Sequence, residues 1–239
     1  TAKAFRLSTT NAGDNWVINE IDAFGTDIAL MCNFYQNTGE FLIVTHSTED
    51  KVYRTSNNGI NFALVYSNPG DLIDFGVVNP TAGTAFIVGR LHGNVFGALY
   101  TGSAGYNWSV TYTPGSNWSA ICFSRDQNNG IIIPRVPGEN VAVSVDGGST
   151  WSAYSGISTD KRLYSACYVK NTGNNTAVVC GESGKIFRTV NNGANWNEIS
   201  SPTTNMLLDI EFHDDGTGII TGENGTVLRS SDGGINWLS

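Results

Sequence analysis

Charge is scarce in this chain. Only 14% of its 239 residues are Asp, Glu, Lys or Arg, where soluble domains usually carry about a quarter. The balance is acidic, with a formal net charge of -8. A nucleic acid or an anionic membrane surface needs clustered basic side chains, so neither is expected as a partner. No apolar run reaches the length of a spanning helix, which argues against membrane insertion. Histidine is rare: His46, His92 and His213 share no spacing that suggests a metal site. No Gly-x-Ser-x-Gly elbow, phosphate-binding loop or dinucleotide fingerprint is present, and no cofactor is expected.

Cysteine is equally sparse. Cys32, Cys122, Cys167 and Cys180 all lie in apolar, strand-like runs. None forms a C-x-x-C pair, which argues against a zinc or redox centre. Buried thiols acting as small hydrophobes are the default. Cys167 and Cys180 flank the loop Lys170 to Asn175 almost symmetrically and could face each other across a hairpin as a disulfide. The first residue is Thr1, with no leader-like charged and apolar regions, which reads as a processed or excised product. Low Lys with abundant Asn, Thr, Ser and Gly leans towards a secreted or extracellular β-protein.

What the chain does have is a repeated phrase. Ser144-Val145-Asp146-Gly147-Gly148-Ser149-Thr150-Trp151 returns as Ser230 to Trp237 and as Thr189 to Trp196, with weaker copies at Thr55 to Phe62, Thr9 to Trp16 and Thr101 to Trp108. The closing aromatics fall at 16, 62, 108, 151, 196 and 237, at intervals of 46, 46, 43, 45 and 41 residues. A steady period in this range marks a repeat architecture. The third position is Asn11, Asn57, Ser103, Asp146, Asn191 or Asp232, short side chains that accept backbone N–H bonds inside a turn. The fifth is always Gly, which takes a positive φ without a Cβ penalty. Six copies of one turn are scaffold, because a catalytic site needs different residues in different roles.

Between the phrases each period holds the same parts. A short strand ends in an aromatic (Ile28 to Phe34, Leu72 to Val78, Trp118 to Phe123, Leu163 to Tyr168, Leu207 to Phe212). A polar turn and an apolar strand follow, then a third strand, the phrase and a fourth strand. Residues 1–20 read as an extra hairpin. Four short strands per period, radially repeated, predict an all-β propeller of four-stranded antiparallel blades. With no linker in sight, residues 1–239 are expected to form a single domain. Six blades are favoured, one of them thin and built from the N-terminal hairpin, with five as the alternative.

The phrases at Ser144 to Trp151 and Ser230 to Trp237 resemble the Asp-box, or bacterial neuraminidase repeat. The larger unit from Leu208 to Trp237 is similar to the repeat of the photosystem II assembly and stability factor family. That resemblance implies a propeller whose Asp-box turns join the third and fourth strands, on the face away from the binding or catalytic site. It implies little about function, since fold does not fix function. Sialidases share the turn, and what they imply is a Phe-Arg-Ile-Pro motif, an arginine triad and a Tyr nucleophile paired with Glu. Here Arg6 sits in Phe5-Arg6-Leu7-Ser8 without the proline. Arg54, Arg188 and Arg229 each precede the turn glycine by five residues, which reads as a repeat feature reaching solvent or the next blade.

The expectation is therefore a non-catalytic binding or scaffold module for a protein or carbohydrate ligand. A sialidase-like glycoside hydrolase is the alternative. The binding face opposite the turns is drawn from loops that differ between repeats, as a rigid scaffold with variable loops allows. Its candidates are His46, Arg90, His92, Trp118, Arg135, Glu139, Arg162, Glu182 and Glu223. Trp118 also aligns with core positions of the first strands, and Glu182 and Glu223 share a Gly-Glu-x-Gly phrase that could be structural.

Overall fold

A computed structural model describes residues 4–8, 17–21, 28–34, 41–46, 50–67, 72–79, 84–91, 95–103, 105–111 and 118–239, with the backbone alone for parts of the N-terminal strands. The described residues form antiparallel sheets in strict sequence order. A two-stranded sheet pairs β1 (Ala4–Ser8) with β2 (Val17–Ile21). Four-stranded sheets follow from β3 (Ile28–Phe34), β4 (Phe41–His46), β5 (Lys51–Thr55) and β6 (Ala63–Ser67), and from β7 (Leu72–Asn79), β8 (Thr84–Leu91), β9 (Val95–Thr101) and β10 (Ser109–Thr111). The next sheets are β11 (Trp118–Phe123), β12 (Gly130–Pro134), β13 (Val141–Ser144) and β14 (Ser152–Tyr154), then β15 (Leu163–Tyr168), β16 (Ala177–Gly181), β17 (Ile186–Thr189) and β18 (Asn197–Ile199). The last has three strands, β19 (Leu207–Phe212), β20 (Gly218–Gly222) and β21 (Val227–Ser230), with one further bridge from Arg229 to Leu238. The N-terminal hairpin and the short last sheet agree with the strand pattern read from the sequence.

Packing divides the chain into two compact units, Thr1–Val95 with Leu99–Ser109, and Phe96–Ala98 with Val110–Ser239. In the first, Leu42, Val44 and Val52 of one sheet bury against Ala85, Ile87 and Leu99 of the next. In the second, a core fills each gap between successive sheets. Ile131, Ile133 and Val143 meet Tyr168, Val179 and Phe187. Val178, Cys180 and Ile186 meet Leu207, Ile210 and Phe212. The β15–β18 sheet therefore sends alternate residues to opposite sides. This explains why β16, Ala-Val-Val-Cys-Gly, is apolar throughout and buried at every position.

Two of the tryptophans that close a phrase, Trp151 and Trp237, anchor their own sheets. Trp151 lies edge-on to Phe123 at 5.9 Å, and Trp237 to Phe212 at 5.9 Å. Such edge-to-face pairs add to the area they bury. Trp118 corrects an expectation: it is fully buried, at 0% exposure, so its ring packs in the core and has no face for a ligand. The hairpin disulfide is corrected as well. Cys167 and Cys180 are free and buried, because Cys167 pairs with Val178 while Cys180 pairs with Ser165. That diagonal offset separates the β-carbons by about 7 Å, beyond disulfide reach.

Candidate binding face

The two ends of the sheets do different work. At one end lie the repeated turns. In the Ser144 turn the Oγ of Ser144 donates to Asp146 Oδ1 at 2.8 Å and accepts the Gly148 N–H at 2.8 Å. Asp146 Oδ1 also accepts the Thr150 N–H at 2.9 Å. The same bonds recur at Asn57, Asn191 and Asp232, and with a serine at Ser103. Asn11 lies outside the described residues. In the copies at Asn57, Asp146, Asn191 and Asp232 the fourth and fifth positions are both left-handed, as at Asn192 (φ 54) and Gly193 (φ 82), which is why Asn or Gly and then Gly stand there. These side chains are spent on the turn, as a structural role requires.

The turns also join neighbouring sheets. Arg188 Nε donates to the Gly233 carbonyl at 2.8 Å, and the Arg54 guanidinium lies 4.2 Å above the Tyr106 ring. Both arginines thus reach the phrase of the following repeat. That accounts for their fixed distance from the turn glycine and removes them from any substrate-binding triad.

The opposite end carries the β12–β13, β16–β17 and β20–β21 connections and the loops between sheets. Two of these connections are copies. In Glu182–Gly184 and Glu223–Gly225 the chain makes one 3₁₀ turn with a left-handed central residue, Ser183 (φ 58) or Asn224 (φ 55). The Glu182 N–H donates to the Arg162 carbonyl at 2.9 Å, and the Glu223 N–H to that of Met206 at 2.9 Å. A Cβ on Gly181 would lie 2.1 Å from the Arg162 carbonyl, so this approach demands glycine. The Gly-Glu-x-Gly phrase is thus a second structural device.

The β12–β13 connection breaks this pattern. Arg135–Asn140 contains Val136-Pro137-Gly138 and extends alongside the Gly156–Arg162 loop. Between them lies a depression of about 600 Å³, lined by Gly138, Gly156, Ile157, Ser158, Thr159, Asp160 and Lys185. Beneath it a small apolar seam runs under Val136, Pro137, Ile157 and Leu163. Of the sequence candidates Glu139 lines the seam, while Arg135, Arg162 and Glu182 gather around Tyr164 beside it. Glu223 stands apart on the last sheet, exposed. His46 closes β4 and Arg90 lies in β8, but their side chains, and all of His92, lie outside the described residues. Gly156, Ser158 and Lys185 were missed by sequence reasoning. The departure of Arg135–Asn140 from the repeat was the signal that could have found them.

Electrostatically the rim is self-compensated. Glu182 accepts the Arg162 N–H at 3.1 Å and the Tyr164 hydroxyl at 2.9 Å. The Arg162 N–H first, then Tyr164, hold its carboxyl below the ordinary range. Burial, and then the Glu182 carboxylate, raise the Tyr164 phenol. The proton therefore stays on Tyr164, whose hydroxyl donates to the ionised Glu182 carboxylate. Lys161 meets Asp160 at 2.9 Å, and Lys185 meets Glu198 at 2.5 Å. No cluster of three metal-ligating side chains occurs among the described residues.

The geometry invites comparison with known proteins. Residues 192–239 match the family model described as photosynthesis system II assembly factor YCF48. A structure of YCF48 bound to D1 peptide superposes with a TM-score of 0.73 at 18% identity, covering 98% of this chain and 73% of that one. YCF48 from Cyanidioschyzon merolae gives 0.72 at 17% identity, covering 97% and 76%. The fold is a BNR-type β-propeller. It is similar to that of the photosystem II assembly factor, as the repeat phrases implied. The GH74 enzyme of Niastella koreensis also superposes, with a TM-score of 0.70 at 15% identity, covering 88% of this chain and 38% of that one. Comparison of the sequence with proteins of curated function finds no match.

Proposed function

We propose that this propeller is a non-catalytic module that binds a protein partner through the end opposite its Asp-box turns. The observation that carries this reading is the contrast between the two ends: the turn side chains are spent on their own hydrogen bonds, whereas the β12–β13 connection departs from the copied turns at Glu182–Gly184 and Glu223–Gly225. Support also comes from the likeness to a YCF48 structure with a bound peptide. Diverse loops on a rigid repeated frame suit recognition. An extracellular setting remains part of the proposal, on the polar, Lys-poor composition. Affinity capture from the source organism, with rim and turn variants side by side, tests it. A partner retained by Asp146→Asn but lost by Arg135→Glu supports the proposal; no difference between the two overturns it.

A second reading is favoured by the likeness to GH74 enzymes. It makes the chain a glycoside hydrolase. Incubation with xyloglucan and with a fluorogenic sialoside decides it: turnover of either replaces the binding reading.

A further inference from the structure

We propose that the depression between Arg135–Asn140 and the Gly156–Arg162 loop binds an extended, uncharged polypeptide segment through its main chain. The proposal rests on the protein-binding reading above and gives it a place and a chemistry. The first argument is shape. Gly138 leaves bare backbone at the surface, where a Cβ would meet nothing within 4 Å, and Gly156 lets the two loops close up, since a Cβ there would lie 2.1 Å from the Glu139 carbonyl. With Ser158 and Thr159 beside them, small polar groups and bare peptide line a hollow of about 600 Å³. That volume falls within the range of sites that bury a ligand, and exposed peptide groups are the natural partners of another main chain.

The second argument is charge. Asp160 is paired with Lys161, and Lys185 with Glu198. Glu182 is held by the Arg162 N–H and Tyr164. With these charges already matched, the rim offers a charged ligand no field of one sign to steer it in. An uncharged one needs none. The third argument separates peptide from sugar. No aromatic ring is among the lining residues, and the nearby Trp118 is buried, so no flat π-face is offered for stacking.

The test uses the full chain immobilised as target for a displayed library of random linear peptides, with Ser158→Trp as the counter-target. Ser158 is exposed, so the indole fills the hollow without entering the core; unchanged circular dichroism confirms folding. Enriched peptides are synthesised with a fluorophore and measured by anisotropy. The expected peptides lack clustered charge, weaken about tenfold or more on Ser158→Trp, and change less than about twofold between about 50 and 500 mM salt. N-methylation of one central amide is expected to cost a similar tenfold. Peptides rich in Asp and Glu or in Lys and Arg, a steep salt dependence, or no enrichment over the counter-target overturn the proposal. Peptides that bind both proteins equally overturn this site while leaving the protein-binding reading intact. Glycosidase turnover removes both.

Discussion

Arg188 reaches across 45 residues of sequence to donate its Nε hydrogen to the Gly233 carbonyl at 2.8 Å. The contact ties the third strand of one sheet to the turn of the next, so the repeat builds its own neighbour contacts. Arg188→Met keeps the stem that packs below and removes the donor. A loss of about 1 kcal/mol is expected, the usual net worth of such a bond. Arg54→Met, which removes a cation over the Tyr106 ring, should cost about 0.5 kcal/mol. Urea denaturation checks both; an unchanged midpoint in Arg188→Met would refute the clamp.

Gly218 opens β20 beneath the ring pair of Phe212 and Trp237. A Cβ there would sit 2.5 Å from Phe212 and 2.8 Å from Trp237. Gly218→Ala should destabilise by about 1–3 kcal/mol through overpacking. It should also alter the near-ultraviolet circular dichroism of the Trp237 environment, whereas Gly225→Ala, with nothing near its Cβ, should leave that signal alone.

Asp232 carries a pH dependence whose sign can be worked out. Partial desolvation raises its carboxyl, but bonds from the Asn236 N–H and side chain, from Ser230 and from the Ile235 N–H outweigh it and bring the pKa to about 2. In the unfolded chain an Asp titrates near about 3.9. The folded value is the lower, so the stabilisation is fully present above about pH 4 and is lost as pH falls towards 2. Asp232→Asn keeps the acceptor, as Asn57 and Asn191 do in their own turns. It should therefore unfold at a midpoint close to wild type at neutral pH and show a flatter loss of stability in acid. Parallel melts at neutral and acid pH decide it; an equal acid slope in both proteins would contradict the assignment.

Trp118 and the cysteines report on burial. Trp118→Ala should cost about 3–5 kcal/mol, as for a large core ring, and change ligand binding only in proportion to unfolding. Burial pushes the Cys167 thiol up to about 12 and raises Cys122 well above its ordinary value. A thiolate is the reactive form, so Cys122, Cys167 and Cys180 should resist alkylation at pH 8 until the protein is unfolded. Peptide mass mapping after a timed pulse of iodoacetamide checks this. Rapid labelling of Cys167 in the native state would show that the sheets do not seal.

Much of this molecule was written locally. The phrase Ser-x-Asp-Gly-Gly specifies a turn because the bonds that close it span only four residues, as from Gly148 to Ser144. Strand positions followed from apolar runs between such turns, and Leu163–Tyr168 and Leu207–Phe212 stand where the pattern put them. What the sequence could not decide was which faces meet. Val178 and Ile219 occupy equivalent places in β16 and β20, yet Val178 is fully buried and Ile219 is 38% exposed. The difference lies in what packs on each sheet, a contact between residues far apart in the chain. Trp118 was ambiguous for the same reason: an aromatic at a strand start serves a core or a surface according to its neighbours. The rim depended on tertiary structure most of all. Gly138, Ser158 and Lys185 are unremarkable singly, and only the approach of separate loops gathers them around one hollow.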